Sequence, residues 1–115
     1  MKPKEVMAVV KSHGLWLAKK PAGKRADLSM QSLRVAQLPR ANLKQAKLTG
    51  ADLSRSNLQG ADLSDADLFG VNFYNADLMG ANLIGADLRG SRLRKTNLTR
   101  ANLEGADLRE GTLIK

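Results

Sequence analysis

Cysteine is absent from this chain of 115 residues, and aromatic residues make up only 3% of it. The absence of cysteine excludes a disulfide framework and a thiolate metal site, and it is typical of proteins in a reducing compartment. Leucine and alanine supply most of the 43% of residues that are hydrophobic, in place of the Phe, Tyr, Ile and Val of an ordinary core. This composition indicates one domain whose apolar core is built repetitively.

Long apolar runs are missing as well. No segment reaches the length of a membrane-spanning helix, and the N-terminal residues contain no apolar stretch typical of a secretory signal. We therefore expect a cytoplasmic protein with no part embedded in a membrane. The net charge of +8 makes nucleic acids and acidic surfaces the partner classes to consider.

A leucine recurs every five residues from Leu28 to Leu113, and Phe73 is the one substitution in this series. A period of five would carry the leucines around a helix, and on a strand it would point successive leucines to opposite faces. Burial contributes roughly 1.5–3 kcal/mol per leucine, so exposing about half of them would exceed a domain's stability of roughly 5–15 kcal/mol. The backbone must therefore turn once in every repeat, so that all the leucines face one axis.

The other positions of the repeat fit such a turn. The residue two places before the leucine is Ala in twelve of the eighteen repeats, and the residue between them is Asp or Asn in thirteen. We expect the alanine to share the inward side with the leucine, while Asp or Asn points outward and bonds the backbone at a corner. Glycine ends seven repeats, as a tight bend requires. These glycines are Gly50, Gly60, Gly70, Gly80, Gly85, Gly90 and Gly105.

Triplets such as Ala51, Asp52 and Leu53 make residues 26–115 resemble the pentapeptide-repeat family. The resemblance implies an all-β solenoid, a right-handed quadrilateral β-helix with four repeats in each coil. Eighteen repeats would then form about 4.5 coils, stacked at roughly 4.8 Å. We accordingly predict two parts, a helical cap and turn at 1–25 and the β-helix at 26–115.

The N-terminal part is predicted to cover the first coil, because a stacked solenoid exposes leucines and unpaired backbone at its ends. Residues 3–13 show the pattern of a short amphipathic helix with Gly14 as its stop. The side chains expected to cover the coil are Val10, Leu15, Trp16 and Leu17. This segment also resembles the lead-in of many bacterial pentapeptide-repeat proteins.

A final coil would offer an open apolar edge at the other end of the solenoid. The residues at that edge are Leu98, Leu103, Leu108, Leu113 and Ile114. One interpretation is an end-to-end homodimer, which some members of the resembled family form through their C-terminal ends. Two others are a chain that is a piece of a longer protein and an edge that is tolerated in water.

Charge is distributed unevenly when the repeats are assigned to four faces. One face, called here the basic face, comprises the repeats centred on Leu33, Leu53, Phe73, Leu93 and Leu113. Its cations are Arg34, Arg55, Arg92, Arg94, Lys95 and Lys115, and its one acid is Asp52. The cap is basic too, so either a solvated surface or a contact with an acidic protein or nucleic acid is indicated. Arg92, Arg94 and Lys95 are the candidate binding residues.

No aromatic residue interleaves with those three cations along the sequence, which argues against binding of a single strand. Binding by charge alone would be weak and sensitive to salt.

Four successive repeats carry an apolar side chain at the first outward position, where other repeats mostly carry polar ones. These further candidates for partner binding are Phe69, Tyr74, Met79 and Ile84. Clustered apolar surface marks a contact site, whereas side chains spread over four sides would form no patch. Both interpretations are open.

Catalytic chemistry is not indicated. His13 is the single histidine, and its place at the end of the predicted helix favours a packing role. The recurring aspartates occupy the corner position of the repeat, which explains them without a metal or acid–base site. No nucleophile arrangement, phosphate loop or zinc spacing is present, so we predict no enzyme activity, no metal and no cofactor.

Three functions remain as hypotheses. The first is an interaction module that displays its faces to a protein partner, and the second is nucleic-acid binding through the cap and the basic face. The third comes from the resemblance, because some family members bind DNA gyrase by mimicking duplex DNA. Mimicry requires a strongly acidic surface, and the net charge of +8 disfavours it here.

Overall fold

The computed structural model describes residues 1–111 as one α-helix, α1 (Pro3–Leu17), followed by a stack of coils. Parallel backbone bridges join residues that are twenty apart, from Asp27 with Lys47 to Asp87 with Asp107. A register of twenty residues places four five-residue repeats in each coil. The chain is therefore a solenoid with the number of repeats per coil that the family resemblance implied.

The wall of the solenoid contains very little extended strand. Among residues 1–111 no strand is longer than a single bridge residue. A turn occupies most of each repeat: the N–H of Ala46, for example, donates to the C=O of Leu43 at 3.0 Å. Five residues are too few for both a turn and a longer strand. The right-handed sense of the coils stays a prediction.

The last residue of each repeat adopts a left-handed conformation. Its φ lies between 54° and 71° in all seventeen repeats that the structure describes. This is the third residue of a turn closed by a backbone hydrogen bond, where positive φ favours glycine. Only seven of the seventeen are glycine, so ten side chains are held in a region that L-residues rarely adopt.

Asp and Asn side chains hold the corners, as predicted. In all thirteen repeats that contain one, its Oδ1 accepts a hydrogen bond from the backbone N–H two residues later, at 2.9–3.4 Å. The row of aspartates is thereby accounted for as a set of structural bonds.

The leucines fill the interior of the tube. From Leu28 to Leu88 each is at most 3% exposed, and Phe73 is completely buried. Leu98, Leu103 and Leu108 are half-buried against the end of this core. The other two residues of the predicted dimer edge, Leu113 and Ile114, lie outside the described residues.

Ser91 places a hydroxyl in the core where most repeats have alanine. Its Oγ is buried without a hydrogen-bond partner in the described part of the chain. Ser56, at the equivalent position of another repeat, donates from its Oγ to the C=O of Leu53 at 2.7 Å.

These two serines predict opposite effects of the same substitution. We expect Ser91→Ala to raise the free energy of unfolding by about 1 kcal/mol, because it removes an unpaired buried group. Ser56→Ala, the control, is expected to lower it by about 1 kcal/mol, because a hydrogen bond is lost. Urea unfolding of both variants measures the difference, and destabilisation by Ser91→Ala would contradict the prediction.

The cap helix is longer than predicted. It continues through Gly14 to Leu17, so the expected end at residue 13 with Gly14 as the stop is wrong. The N–H of Ala18 donates to the C=O of Gly14 at 3.1 Å, and Lys19, two residues beyond the end of the helix, has a left-handed φ of 58°. Glycine inside a helix costs only about 1 kcal/mol relative to alanine, which tertiary packing readily offsets. In residues 1–111 no helix is both long and apolar enough to cross a membrane.

The contacts that dock the cap differ in part from the prediction. Val10 packs against the core as expected, together with Val9. Val6 and His13 are the buried residues of the helix. The three apolar residues at its end, Leu15, Trp16 and Leu17, are half-buried and are not among the side chains packed against the core. The middle of the helix, and not its end, therefore covers the first coil.

The chain leaves α1 through a close turn that glycine makes possible. A Cβ at Gly23 would collide with the backbone nitrogen of Trp16. Two bonds hold this turn to the helix, because the N–H of Lys24 donates to both the C=O and the Oγ of Ser12, at 3.2 and 3.1 Å.

Candidate interaction surface

His13 joins the cap to the first coil. Its ring is buried, and the backbone N–H of Ala26 donates to its Nδ1 at 2.9 Å. Since Nδ1 accepts this bond, Nε2 carries the proton and donates to the C=O of Lys44 at 2.7 Å. The ring of Trp16 stacks on His13 with centroids 5.4 Å apart. These contacts give the single histidine the packing role predicted from the sequence.

Two arginines on the face next to the basic face are neutralised locally. Arg89 binds Asp87 through two parallel hydrogen bonds of 2.8 Å, and Arg109 binds Asp107 in the same way. The hydrogen bonds from Arg109 lower the pKa of Asp107 from 3.8 to about 2. Those from Arg89 also lower the pKa of Asp87 below its ordinary value. Both carboxylates are therefore ionised partners near neutral pH.

The described cations of the basic face have no such partners within residues 1–111. The two ion pairs found within residues 1–111 are those of Arg89 and Arg109, so none involves the basic face. Its one acid, Asp52, accepts the backbone N–H of Ser54 at 3.0 Å. The described cations of this face are all exposed to solvent: Arg34, Arg55, Arg92, Arg94 and Lys95. Their positive charge is therefore available to a ligand.

Tyr74 lies at the centre of this face between two guanidinium groups. The Cζ of Arg94 is 5.4 Å from the centroid of its ring, and that of Arg55 is 5.8 Å away. Both distances fit a cation–π contact. No aromatic residue interleaves with Arg92, Arg94 and Lys95 along the chain, but the fold brings Tyr74 of the preceding coil to Arg94. The sequence could have indicated this contact, because Tyr74 and Arg94 are twenty residues apart and that is the spacing between adjacent coils.

The backbone fixes these side chains in successive coils. The N–H of Arg55 donates to the C=O of Tyr74 at 2.8 Å, and the N–H of Asn75 donates to the C=O of Arg94 at 3.1 Å. Tyr74 is further bonded at its own N–H, which donates to Oδ1 of Asn72 at 2.9 Å. The two arginines and the tyrosine are thus presented by a hydrogen-bonded wall.

The four apolar candidates Phe69, Tyr74, Met79 and Ile84, called here the apolar belt, do not come together. They lie on four different faces, and three of them are contacted by an arginine of the next coil. Besides Tyr74 under Arg94, the ring of Phe69 lies 5.4 Å from Cζ of Arg89, and Sδ of Met79 is 3.7 Å from Nη2 of Arg100. Ile84 is exposed on its own face. The belt is therefore not one patch, and only Tyr74 is brought to the predicted cations.

No metal-binding cluster is found in the described part of the chain: within residues 1–111, no three His, Asp or Glu side chains are grouped so as to hold an ion. The corner bonds and the bonds of His13 account for the titratable groups singled out from the sequence. The groups on this surface that can bind a partner are cations and an aromatic ring.

Comparison with known proteins places this architecture among characterised folds. A family model described as pentapeptide repeats matches residues 36–75 and 76–113, with eight copies. The crystal structure of a pentapeptide repeat protein (Rfr23) from the cyanobacterium Cyanothece 51142 is 38% identical, with a TM-score of 0.75, and the match covers 76% of this chain and 60% of that chain.

A second solved structure is also similar. HetL, a pentapeptide repeat protein involved in heterocyst differentiation regulation from the cyanobacterium Nostoc sp. strain PCC 7120, is 32% identical with a TM-score of 0.64. The match covers 76% of this chain and 47% of HetL. The chain thus spans about half to three-fifths of the length of these two proteins. No curated protein matches it. The family match over more than half of the chain, the twenty-residue register and the corner bonds together show that the chain belongs to the pentapeptide-repeat family.

Proposed function

We propose that this protein is a non-catalytic interaction module that binds an acidic surface of a partner protein through its basic face. The wall that displays this face is proposed to be a right-handed quadrilateral β-helix. The observation that carries the proposal is the group of Arg55, Tyr74 and Arg94, whose arginines form no ion pair within residues 1–111. Arginine and tyrosine are also residue types that dominate the energetics of protein interfaces.

The arrangement of this group favours binding. Exposed arginines usually lose side-chain freedom when they bind, and this loss weakens association. Arg55 and Arg94 already contact one ring, and their backbones are held by the bridges between coils. We therefore infer that less freedom is lost when carboxylates of a partner approach. Unpaired charge of one sign also speeds encounter with an oppositely charged surface.

Nucleic-acid binding is a second candidate, and Tyr74 is the observation in its favour. Bases stack on aromatic rings in proteins that bind single strands, and arginines contribute to such sites. A protein partner is favoured because the basic face presents one outward aromatic ring, that of Tyr74, whereas a nucleic-acid strand needs a row of them. Gyrase binding by DNA mimicry is disfavoured, since the exposed charge here is positive.

The proposal is tested with two double variants of matched charge. Arg55→Ser with Arg94→Ser removes the unpaired arginines of the basic face, and Arg89→Ser with Arg109→Ser removes two paired arginines of the neighbouring face. Affinity capture from the source organism, with quantitative mass spectrometry, compares both with the unaltered protein. We expect an acidic protein to be captured by the unaltered protein and by the control, but not by the basic-face variant.

Two results would count against the proposal. One is a set of captured proteins that does not change when Arg55 and Arg94 are substituted. The other is capture that disappears after nuclease treatment, accompanied by binding of single-stranded DNA in a salt titration. The second result would establish the nucleic-acid function instead.

A further inference from the structure

An open apolar groove separates the cap helix from the first coil. Its volume is about 370 Å³. Val6 and Leu33, both buried, form part of its lining, and the side chains of Met1, Met7 and Val35 lie along it. Ligand pockets span a similar range of volumes, about 300–1,000 Å³. Leu33, Arg34 and Val35 of its lining belong to the first repeat of the basic face, next to the coil that holds Arg55. The lining does not include Arg55, Tyr74 or Arg94, the group on which the proposed function rests.

The groove collects much of the apolar surface that the fold leaves in water. Met1 is 46% exposed, Met7 52% and Val35 57%. Lining residues that are half in solvent form an open channel and not the enclosed site that a small molecule needs. Methionine is flexible and polarisable, which suits surfaces that adapt to a peptide. An apolar channel of this kind is typical of a docking site for another chain.

Val35 is an unfavourable residue for the stability of the fold, because of both its backbone conformation and the exposure of its side chain. Its φ is 62°, in the left-handed region where a β-branched residue is strained. Seven other repeats carry glycine at this position of the turn. The isopropyl group is also mostly in water, so the fold gains little from it. Backbone strain at a residue that stays exposed indicates a binding role for that residue.

One residue that lines the groove is a cation, and two further cations share a side of α1 with Met7. Arg34 lines the groove, next to Val35 in the chain. On α1, Lys4 precedes Met7 by three residues and Lys11 follows it by four, so all three share one side of the helix. These cations are exposed, and neither of the ion pairs within residues 1–111 involves them. An occupant with an apolar centre and acidic flanks would match this surface.

We propose that the groove binds an acidic amphipathic helix of a partner protein. The apolar face of that helix would lie against Met7 and Val35, and its Asp and Glu residues would face Lys4, Lys11 and Arg34. A helix that binds in such a groove inserts apolar side chains that are three or four residues apart in its sequence. The proposal does not depend on the Arg55, Tyr74 and Arg94 group.

A peptide-display selection against the full chain tests this proposal. We expect enriched peptides to carry apolar residues at helical spacing, flanked by Asp or Glu. Val35→Gly removes the side chain and the backbone strain together, so the fold is kept, and thermal unfolding checks this. The Val35→Gly substitution should weaken the affinity for the enriched peptides by about tenfold in a fluorescence titration. Met30→Gly is the matched control, because Met30 has the same φ of 62°, is 76% exposed and does not line the groove.

Peptide binding in the Arg55→Ser and Arg94→Ser variant separates this proposal from the proposed function, since it should be unchanged there. The groove proposal is overturned if no peptide is enriched, or if enriched peptides are basic or bind Val35→Gly as well as the unaltered protein. It is also overturned if sedimentation shows a dimer that Val35→Gly dissociates, because a second copy would then fill the groove.

Discussion

Replacing Leu63 with alanine is expected to lower the free energy of unfolding by about 2–5 kcal/mol. Leu63 is completely buried, in a column with Leu43 and Leu83 of the adjacent coils. The bridges hold these coils in a fixed register, so the wall has little freedom to close over the cavity. The cost of such a substitution rises with the volume that remains empty.

Leu103→Ala is the control for this prediction. Leu103 belongs to the same column, but it is half-buried at the end of the core. Its substitution should therefore cost clearly less than that of Leu63. Urea unfolding measured by circular dichroism gives both values. Equal losses of unfolding free energy in the two variants would show that the middle of the leucine column is packed no more tightly than its end.

Replacing His13 with alanine is expected to release the cap from the first coil. The substitution leaves the N–H of Ala26 and the C=O of Lys44 without the partners they have now. An unpaired buried backbone group costs roughly 1–3 kcal/mol, and two of them are affected. Trp16 is the single tryptophan and stacks on His13, so its fluorescence reports on the cap alone.

The control for His13→Ala is Lys44→Ala. This change removes an exposed side chain but keeps the carbonyl that His13 uses, so it should leave the cap in place. Hydrogen exchange at the amide of Ala26 provides the second measurement. Protection should be lost in His13→Ala and kept in Lys44→Ala. An amide of Ala26 that stays protected in His13→Ala would mean that the cap is held by Val6 and its apolar neighbours alone.

The repeat itself could be predicted because its contacts are local. The inward leucines, the Asp and Asn corners and the need for a turn all follow from positions within five residues of one another. Each was found where the sequence placed it, as the buried Leu63 and the hydrogen bond donated by the N–H of Ser64 to Oδ1 of Asp62 illustrate. The family resemblance implied an all-β solenoid, but it did not indicate that the turns leave room for only one bridge residue per repeat.

By itself, the sequence determined that every leucine faces one axis, since five-residue spacing and the cost of exposing leucine permit little else. Only the tertiary structure decided which outward residues meet. The number of repeats in a coil depends on how the turns close, and this number brings Tyr74 to Arg94 and separates Phe69 from Ile84. The cap was decided in the same way: a helix that docks through His13 and Val6 leaves a groove at Val35. These contacts join residues far apart in the chain, so no short pattern encodes them.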